Sequence, residues 1–369
     1  ADVIIGAYGN NSSTGRAYIY YGGASMNSIA DVIMTGESAN NSFGYSVSDA
    51  GDVNGDGFAD VYVGAYGFSS SKGRAYLYYG GASMNNVVDI YMTGEETLNY
   101  FGYSVSGGGD VNGDGFADMI AGAYGYNSNT GRAYVYTNTM TGEDISDLTM
   151  TGSSNNAFGT SVSNAGDVNH DGFNDVIVGE PGIYGRAYIF YGGEIMNNVA
   201  DVTLTGESID TSFGASVSTA GDVNSDGYSD VIIGCNRGGR PKIYFGGSNM
   251  NNVPDVVMTN DNGRIVSDAG DVNGDGYSDV MVARPENSNW RGTVNIYYGG
   301  TNMDNVPDII LTGEAEYEFL GTSISSAGDV NGDGYNDVIV AASREIWNTM
   351  KVYIFYGGVN MNTVPDFLT

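Results

Sequence analysis

The chain has 369 residues, including 58 Gly, 29 Tyr and only 6 Pro, which suits many short strands joined by tight turns and excludes a disordered chain. Its net charge of −31 argues against nucleic acid as a partner. No apolar run approaches the roughly 18 residues of a membrane span, so we expect no direct membrane insertion, and the single cysteine excludes an intrachain disulfide.

Four strand-like segments follow one another in a fixed order along the chain. In the first complete set they are FGYSVSDAG (43–51), DVYVGAYG (60–67), GRAYLYYGG (73–81) and VDIYMTGE (88–95). Each is short, rich in β-branched and aromatic residues, and bounded by Gly, Asn or Ser, which is typical of strands joined by hairpins. Helical periodicity of useful length does not occur in the sequence. Each set therefore predicts four antiparallel strands.

The set recurs along the whole chain, which predicts an all-β fold, a single seven-bladed β-propeller of four-stranded antiparallel blades over residues 1–369. The second-strand segment begins seven times, at Asp2, Asp60, Asp118, Asp175, Asp230, Asp279 and Asp337. The expected blades are approximately 1–36 (incomplete), 37–94, 95–152, 153–206, 207–259, 260–313 and 314–369.

The first blade is predicted to lack its first strand in this chain. The first-strand segment occurs six times, and of the loop that follows it blade one keeps only the last position, Asp2. Either the chain is trimmed, or an upstream segment or a neighbouring molecule supplies the strand. An open slot would expose backbone donors and acceptors, which are a template for strand addition.

An aspartate-rich loop, Asp-Val-Asn-x-Asp-Gly-x-x-Asp, joins the first and second strands of each complete blade. In the first loop Asp52, Asn54 and Asp56 alternate so that their side chains can converge, Phe58 offers a carbonyl, and Asp60 returns a last carboxylate. The predicted metal ligands of the six loops are Asp52, Asn54, Asp56, Phe58 and Asp60; Asp110, Asn112, Asp114, Phe116 and Asp118; Asp167, Asn169, Asp171, Phe173 and Asp175; Asp222, Asn224, Asp226, Tyr228 and Asp230; Asp271, Asn273, Asp275, Tyr277 and Asp279; and Asp329, Asn331, Asp333, Tyr335 and Asp337.

Ligands that are all oxygen favour Ca²⁺ over zinc and other soft metals, and Mg²⁺ prefers a tighter octahedron. The loop is not an EF-hand, because its twelfth position is Val63 and not a bidentate Glu. We therefore predict about six structural Ca²⁺ sites. Extracellular calcium modules bind at about 10⁻⁴–10⁻³ M, an affinity that would leave the sites empty in a cytosol. The predicted location is extracellular, secreted or at the cell surface.

These motifs resemble the FG-GAP repeats of integrin α-subunit propellers. Phe43-Gly44, Phe101-Gly102, Phe158-Gly159 and Phe213-Gly214 match the FG element, and Gly64-Ala65-Tyr66, Gly122-Ala123-Tyr124 and Gly179-Glu180-Pro181 stand where the family has Gly-Ala-Pro. The resemblance implies a seven-bladed propeller with calcium on one face and adhesion or ligand binding through the opposite face. Repeat six departs from it, since NGRIVSDAG (262–270) has no Phe-Gly, and repeat seven carries Phe319-Leu320-Gly321.

Variable loops that leave the second strands should lie on the face opposite the calcium loops, where recognition commonly occurs. Exposed Trp beside Arg is typical of a binding anchor for a protein or an acidic glycan. Alternatively, each Trp covers a blade end and each Arg pairs with an acid. The residues of this predicted ligand-binding patch are Trp290, Trp347, Arg237, Arg240, Arg284, Arg291 and Arg344.

The sequence predicts no enzyme. The only histidine, His170, stands in a calcium loop and should be exposed, whereas Cys235 should be a small buried hydrophobe. The predicted function is therefore a calcium-stabilised adhesion, recognition or surface scaffold protein with a protein or glycan partner. Two alternatives stay open: a glycan-binding lectin, or a self-assembling surface or fibre subunit (a homo-oligomer) completed by strand donation.

Overall fold

The fold is taken from a computed structural model, which describes residues 1–23, 26–137, 146–153, 155–207, 210–236, 239–258, 263–344 and 349–368. Seven antiparallel sheets follow one another along the chain, and we number them as blades one to seven. Blade one has three strands and each of the others has four, in sequential order. The predicted seven-bladed propeller with an incomplete first blade is confirmed.

The strands, blade by blade, are β1 (Val3–Ala7), β2 (Arg16–Tyr20) and β3 (Val32–Thr35); β4 (Val47–Gly51), β5 (Asp60–Ala65), β6 (Arg74–Tyr78) and β7 (Ile90–Thr93); β8 (Ser104–Gly109), β9 (Asp118–Ala123), β10 (Arg132–Tyr136) and β11 (Leu148–Thr151); β12 (Ser161–Gly166), β13 (Asp175–Glu180), β14 (Arg186–Phe190) and β15 (Val202–Thr205); β16 (Ser216–Gly221), β17 (Asp230–Gly234), β18 (Lys242–Tyr244) and β19 (Val256–Val257); β20 (Ile265–Gly270), β21 (Asp279–Arg284), β22 (Thr293–Tyr297) and β23 (Ile309–Thr312); β24 (Leu320–Gly328), β25 (Asp337–Arg344), β26 (Thr349–Phe355) and β27 (Phe367–Leu368).

Within the described residues, short helical turns follow the second strands of blades one, two, three and six. Three residues inside each turn have left-handed φ, such as Asn11 at 48°, Ser12 at 55° and Ser13 at 59°, so these are tight turns and not regular right-handed helix. The turns are α1 (Asn10–Ser13), α2 (Phe68–Ser71), α3 (Tyr126–Asn129) and α4 (Asn287–Trp290).

The first strands of successive blades contact one another and form the inner ring of the propeller, in the order β4, β8, β12, β16, β20, β24. Serine hydroxyls bridge these strands. Ser46 Oγ accepts a hydrogen bond from the Val105 N–H at 3.1 Å, and Ser104 Oγ accepts one from the Val162 N–H at 3.0 Å. The same contact recurs from Ser161 to Val217 and from Ser216 to Val266. Amide groups on the inner ring, which face away from the sheets, thus find partners in the next blade.

Blade one closes the ring against blade seven through the contacts that join the other blades. The amino group of Ala1 donates to the Asp329 carbonyl at 2.8 Å, as the Ala117 N–H donates to Asp52 at 3.1 Å. The Gly23 N–H donates to Val330 at 2.6 Å. The equivalent bonds run from Gly193 to Val111, from Gly247 to Val168, from Gly300 to Val223 and from Gly358 to Val272.

The hydrophobic core lies between adjacent sheets, and the phenylalanines of the Phe-Gly elements pack into it. Phe101 is 1% exposed, and its ring centroid lies 5.3 Å from that of Tyr134 in an edge-to-face contact. A Cβ on Gly64 would lie 2.0 Å from the Gly102 carbonyl oxygen, so the close approach of β5 to the turn at Gly102 requires glycine. Leu320, 2% exposed, occupies the corresponding buried position in blade seven, which departs from Phe-Gly in sequence.

Candidate metal loops and the opposite face

Each aspartate-rich loop folds around the carboxylate at its first position. In the first loop Asp52 Oδ1 accepts hydrogen bonds from the N–H groups of Gly55 and Asp56, at 2.7 and 3.0 Å, and Oδ2 accepts one from Gly57 at 2.8 Å. Asp56 Oδ1 accepts from the Phe58 N–H at 3.0 Å. The first-position carboxylates of the other loops, Asp110, Asp167, Asp222, Asp271 and Asp329, accept the same bond from the glycine five residues on. One local geometry is therefore repeated six times.

The ninth-position aspartates are buried and tie three parts of a blade together. Asp60 is 0% exposed; its Oδ2 accepts from the Val53 N–H in the loop and its Oδ1 accepts from the Gly80 N–H after the third strand, at 2.9 and 2.7 Å. Asp175, Asp230, Asp279 and Asp337 accept the same two bonds and are also 0% exposed. The ninth-position aspartate therefore joins the loop to the sheet through its two backbone hydrogen bonds.

Burial raises the pKa of Asp175 to about 7. The two backbone amide donors act to lower this pKa, whereas the neighbouring charges of Asp171 and Asp167 act to raise it. Burial likewise raises the pKa of Asp230 and of Asp279 to about 7. At Asp175, Asp230 and Asp279 the pKa shifts come from burial and from the charges of neighbouring aspartates, so these three loops collect negative charge. A cation bound there would offset that charge.

By residue type, the loops offer the oxygen donors that a hard cation prefers. Asp60, Asp52 and Asp56 supply carboxylate oxygens, and each oxygen that accepts one amide retains a further lone pair. Within the described ranges, no three Asp, Glu, His or Cys side chains lie close enough together to form a metal cluster. Asn54 Nδ2 instead donates to Asp56 Oδ2 at 3.1 Å. The calcium ligands predicted from the sequence therefore remain a prediction.

Six tyrosines form a connected aromatic surface at the other end of blades one to three. The ring of Tyr45 lies 5.1 Å from that of Tyr8, 4.7 Å from Tyr66 and 4.8 Å from Tyr103. Tyr124 continues the surface, 4.6 Å from Tyr103 and stacked on Tyr100 at 4.9 Å with an interplanar angle of 1°. We call these residues the tyrosine cluster: Tyr8, Tyr45, Tyr66, Tyr100, Tyr103 and Tyr124.

The tyrosine cluster lies opposite the aspartate loops, because Tyr8, Tyr66 and Tyr124 follow the ends of second strands whose starts carry the loop aspartates. Tyr8 is 42% exposed and the other five are half-buried. The Tyr45 hydroxyl donates to the Tyr103 hydroxyl at 2.9 Å. Sequence reasoning missed this surface. Its signal was the Gly-Ala-Tyr triplet in three consecutive repeats.

The predicted Trp and Arg patch is described only in part. Trp290 is 44% exposed and its ring lies 5.7 Å from that of Phe319. Arg291 donates to the Glu314 carbonyl at 3.4 Å. Arg240 and Arg284 are half-buried. Trp347, Arg237 and the side chain of Arg344 lie outside the described residues.

Basic residues at the start of the third strands pair with acids of the same face and form an ionic belt between blades. Arg74 Nη1 lies 2.8 Å from Glu37 Oε1, in the segment that links blades one and two, and Arg132 pairs in the same way with Glu95. In blade five, Lys242 is 3% exposed and lies 2.7 Å from Asp210, which is 0% exposed. The belt consists of Arg74 with Glu37, Arg132 with Glu95, Lys242 with Glu207 and Asp210, and Lys351 with Glu314 and Glu318.

Sequence comparison agrees with this geometry. Residues 43–78, 101–136 and 158–190 match the family described as FG-GAP repeat, and residues 222–282 and 271–340 match the FG-GAP-like repeat. Together these matches cover more than half of the chain. The chain belongs to the FG-GAP repeat proteins. The resemblance predicted from the Phe-Gly elements is thus confirmed.

Several integrin α subunits are similar to this FG-GAP protein. Integrin alpha-5 of Xenopus laevis is 34% identical over 214 residues, which are 52% of this chain and 20% of the relative. Integrin alpha-7 of Rattus norvegicus is 34% identical over 175 residues, 45% of this chain and 15% of the relative. Integrin alpha-V of Gallus gallus is 32% identical over 210 residues, 52% and 20% respectively. The chain thus spans a fifth or less of the length of these relatives.

Among the described residues, no helix has the length and apolar character needed to cross a bilayer.

Proposed function

We propose that this FG-GAP propeller is a calcium-stabilised recognition module that acts outside the cell and binds a protein partner through the tyrosine cluster. The observation that carries the proposal is the cluster itself, six linked rings on the face opposite the aspartate loops. Tyrosine supplies a large apolar area with a polar end and few rotatable bonds, so it is enriched at binding hot spots. The similarity to integrin α subunits supports adhesion or recognition as the setting.

The repeated fold supports this function because it provides a rigid framework for the binding surface. Loops and strand ends on a rigid ring hold side chains in fixed positions, and the tyrosine rings are already packed against one another before a partner arrives. Calcium at the six loops, with the ligands predicted from sequence, would hold the first and second strands together on the opposite face. The proposed sites are those of blades two to seven.

Among the described residues, neither the cysteine nor the histidine is placed as a catalytic group. Cys235 is 0% exposed, and burial, with the nearby charge of Asp210, raises the pKa of its thiol to about 12. His170 is exposed in its loop, with its ring 5.6 Å from that of Tyr228. A nucleophile requires an activating base within hydrogen-bond reach, and neither residue stands beside such a partner in the contacts described for it.

We expect a double variant, Tyr8→Ser with Tyr66→Ser, to lose binding to its partner by at least about tenfold, since truncated hot-spot residues each cost more than about 1 kcal/mol. The measurement is binding of the purified chain to arrays of extracellular-matrix proteins and of glycans. Ile183→Ser, at a side chain 83% exposed in blade four, is the matched control and should retain binding.

The same arrays decide between the proposed surfaces and partners. Unchanged binding by the double tyrosine variant would remove the tyrosine cluster from consideration. Loss of binding on Trp290→Ala instead would favour the Trp and Arg patch, which we keep as a second proposed surface. Binding confined to the glycan array would favour the lectin alternative.

A further inference from the structure

The residue that follows the Phe-Gly element is tyrosine in two consecutive repeats, as Tyr45 before β4 and Tyr103 before β8. The later repeats that keep a Phe-Gly or Leu-Gly element carry no aromatic residue at this position, where they have Thr160, Ala215 and Thr322. The sequence thus places a pair of tyrosines at equivalent positions of blades two and three.

Hydrogen bonds hold the backbones of this pair in place, and a neighbouring ring connects the pair to the surface. The Tyr45 N–H donates to the Ser42 carbonyl and the Tyr103 N–H donates to the Tyr100 carbonyl, each at 3.1 Å. Both side chains are half-buried. Tyr8, which is 42% exposed, lies in ring contact with Tyr45 at 5.1 Å. An oxidant at the surface can therefore draw electrons from a pair whose rings are already positioned.

The two rings of the pair meet in a geometry that differs from the other close contacts of the tyrosine cluster. Their centroids lie 4.8 Å apart with the planes tilted by 38°, and the Tyr45 hydroxyl donates to the Tyr103 hydroxyl at 2.9 Å. Tyr45 with Tyr66, and Tyr103 with Tyr124, meet edge to face at interplanar angles of 80° and 75°. Tyr100 and Tyr124 are stacked with an angle of 1°, but among the described atoms their hydroxyls are not hydrogen-bonded to each other.

This geometry suits the oxidative coupling of two phenols. Removal of one electron and one proton from a tyrosine gives a phenoxyl radical, whose unpaired electron is shared between the oxygen and the ring carbons ortho to it. Two such radicals combine through those carbons, so the rings must face each other rather than meet edge to face. The new bond leaves the two hydroxyls side by side. Within the tyrosine cluster, Tyr45 and Tyr103 meet both requirements.

We propose that Tyr45 and Tyr103 are a site of oxidative crosslinking, at which a peroxidase with hydrogen peroxide joins the two rings in a dityrosine bond. One hydrogen peroxide takes two electrons and two protons from the two phenols and becomes two waters. One carbon–carbon bond forms between the ortho carbons, and the hydrogens of those carbons move to the oxygens, which restores both hydroxyls. The bond joins blades two and three.

The dityrosine bond gives the propeller a covalent staple that its cysteine content cannot provide. The chain has one cysteine, Cys235, which is buried, so an intrachain disulfide cannot form. Proteins outside the cell work in an oxidising environment, where covalent crosslinks form and persist. The crosslink also fixes two members of the tyrosine cluster in the positions that they already hold.

Oxidation of the purified 369-residue chain at low concentration, with a haem peroxidase and hydrogen peroxide, tests the proposal. We expect a product that has lost two hydrogen atoms by intact-mass measurement, shows dityrosine fluorescence and runs as a monomer on a denaturing gel. Tandem mass spectrometry of its digest should locate the bond between Tyr45 and Tyr103. The bond closes a loop of 58 residues in the unfolded chain, so it should raise the midpoint of thermal unfolding by about 5 °C.

Two variants make the test specific. Tyr45→Phe keeps the ring but removes the phenol, so it should lose the crosslink and the shift in midpoint. Tyr184→Phe is the matched control, because Tyr184 is 59% exposed and contacts no other ring among the described residues; this variant should form the crosslink as the unaltered chain does. Circular dichroism checks that both variants are folded, and the location of the bond in the unaltered chain does not depend on them.

Several results would overturn the proposal. An oxidised chain whose mass does not fall, or a bond at another tyrosine pair such as Tyr100 with Tyr124, would show that the geometry of this pair does not direct the coupling. Dimers on the denaturing gel without an internal bond, or a crosslink that persists in Tyr45→Phe, would do the same. The reaction requires neither calcium nor a binding partner, so its failure is distinguishable from failure of the proposals above.

Discussion

Chelation of calcium with EGTA is expected to lower the midpoint of thermal unfolding of the propeller by about 10 °C. With free calcium about ten times Kd, each proposed site contributes roughly 1.4 kcal/mol by mass action, and six sites contribute about 8 kcal/mol. A chain of this length has an unfolding entropy near 0.8 kcal/mol per kelvin, which converts that loss into the expected shift. The measurement is differential scanning calorimetry with EGTA and after calcium is restored.

A single-loop variant separates calcium binding from a general effect of charge. Asp171→Asn removes one carboxylate from the third loop and should reduce the calcium-dependent shift by about one sixth. Glu194→Gln makes the same charge change at an exposed residue outside the loops and should leave the shift unaltered. Magnesium at equal concentration should restore little stability, because it keeps its waters. A midpoint that does not respond to EGTA contradicts the calcium proposal.

The blades were predictable from sequence because their determinants are local and repeated. The six copies of the aspartate loop set the period, and the apolar second-strand segments, such as residues 175–180, are buried throughout in the structure. A propeller places each repeat beside the next, so counting the repeats predicted the order of the sheets. The incomplete first blade followed from the same count.

Features between blades were harder to predict, because they depend on how neighbouring sheets are set against each other. Tyr45 and Tyr103 are 58 residues apart, and their hydroxyls meet only when blades two and three are packed. The pairing of Arg74 with Glu37 likewise joins β6 to the segment that links blades one and two. Asp60 accepts hydrogen bonds from two backbone amides. The sequence did not predict this structural role, because the same residue also fits the metal motif.

Lys242→Met is expected to destabilise the propeller by about 3–5 kcal/mol, the usual cost of removing one partner from a buried ion pair. The Lys242 side chain is 3% exposed and lies 2.7 Å from Asp210, which is 0% exposed. Without the ammonium group, the Asp210 carboxylate would remain buried, with the N–H groups of Glu207 and Arg240 as its donors among the described residues. Denaturant unfolding of both proteins, in calcium, gives the difference in free energy.

Lys351→Met is the comparison variant, since Lys351 also pairs with two acids, Glu314 and Glu318, but is 26% exposed. It should cost less than half as much, because water screens the pair and the Tyr353 hydroxyl still donates to Glu318 at 2.5 Å. Equal losses in the two variants would show that burial of the pair is not the cause.

The pH dependence of Lys242→Met provides an independent check. Burial acts to raise the pKa of Asp210, but the Lys242 hydrogen bond and the backbone donors outweigh it and lower the pKa below its ordinary value of 3.8. In the native protein this stabilisation is therefore complete above pH 3.8 and is lost as the pH falls through the lowered pKa. In Lys242→Met burial is no longer opposed by the ammonium group, so the pKa of Asp210 rises and the carboxyl takes up a proton at a higher pH. The loss of stability should consequently be largest at pH 7 and shrink as the pH approaches 4, because a protonated Asp210 no longer buries a charge.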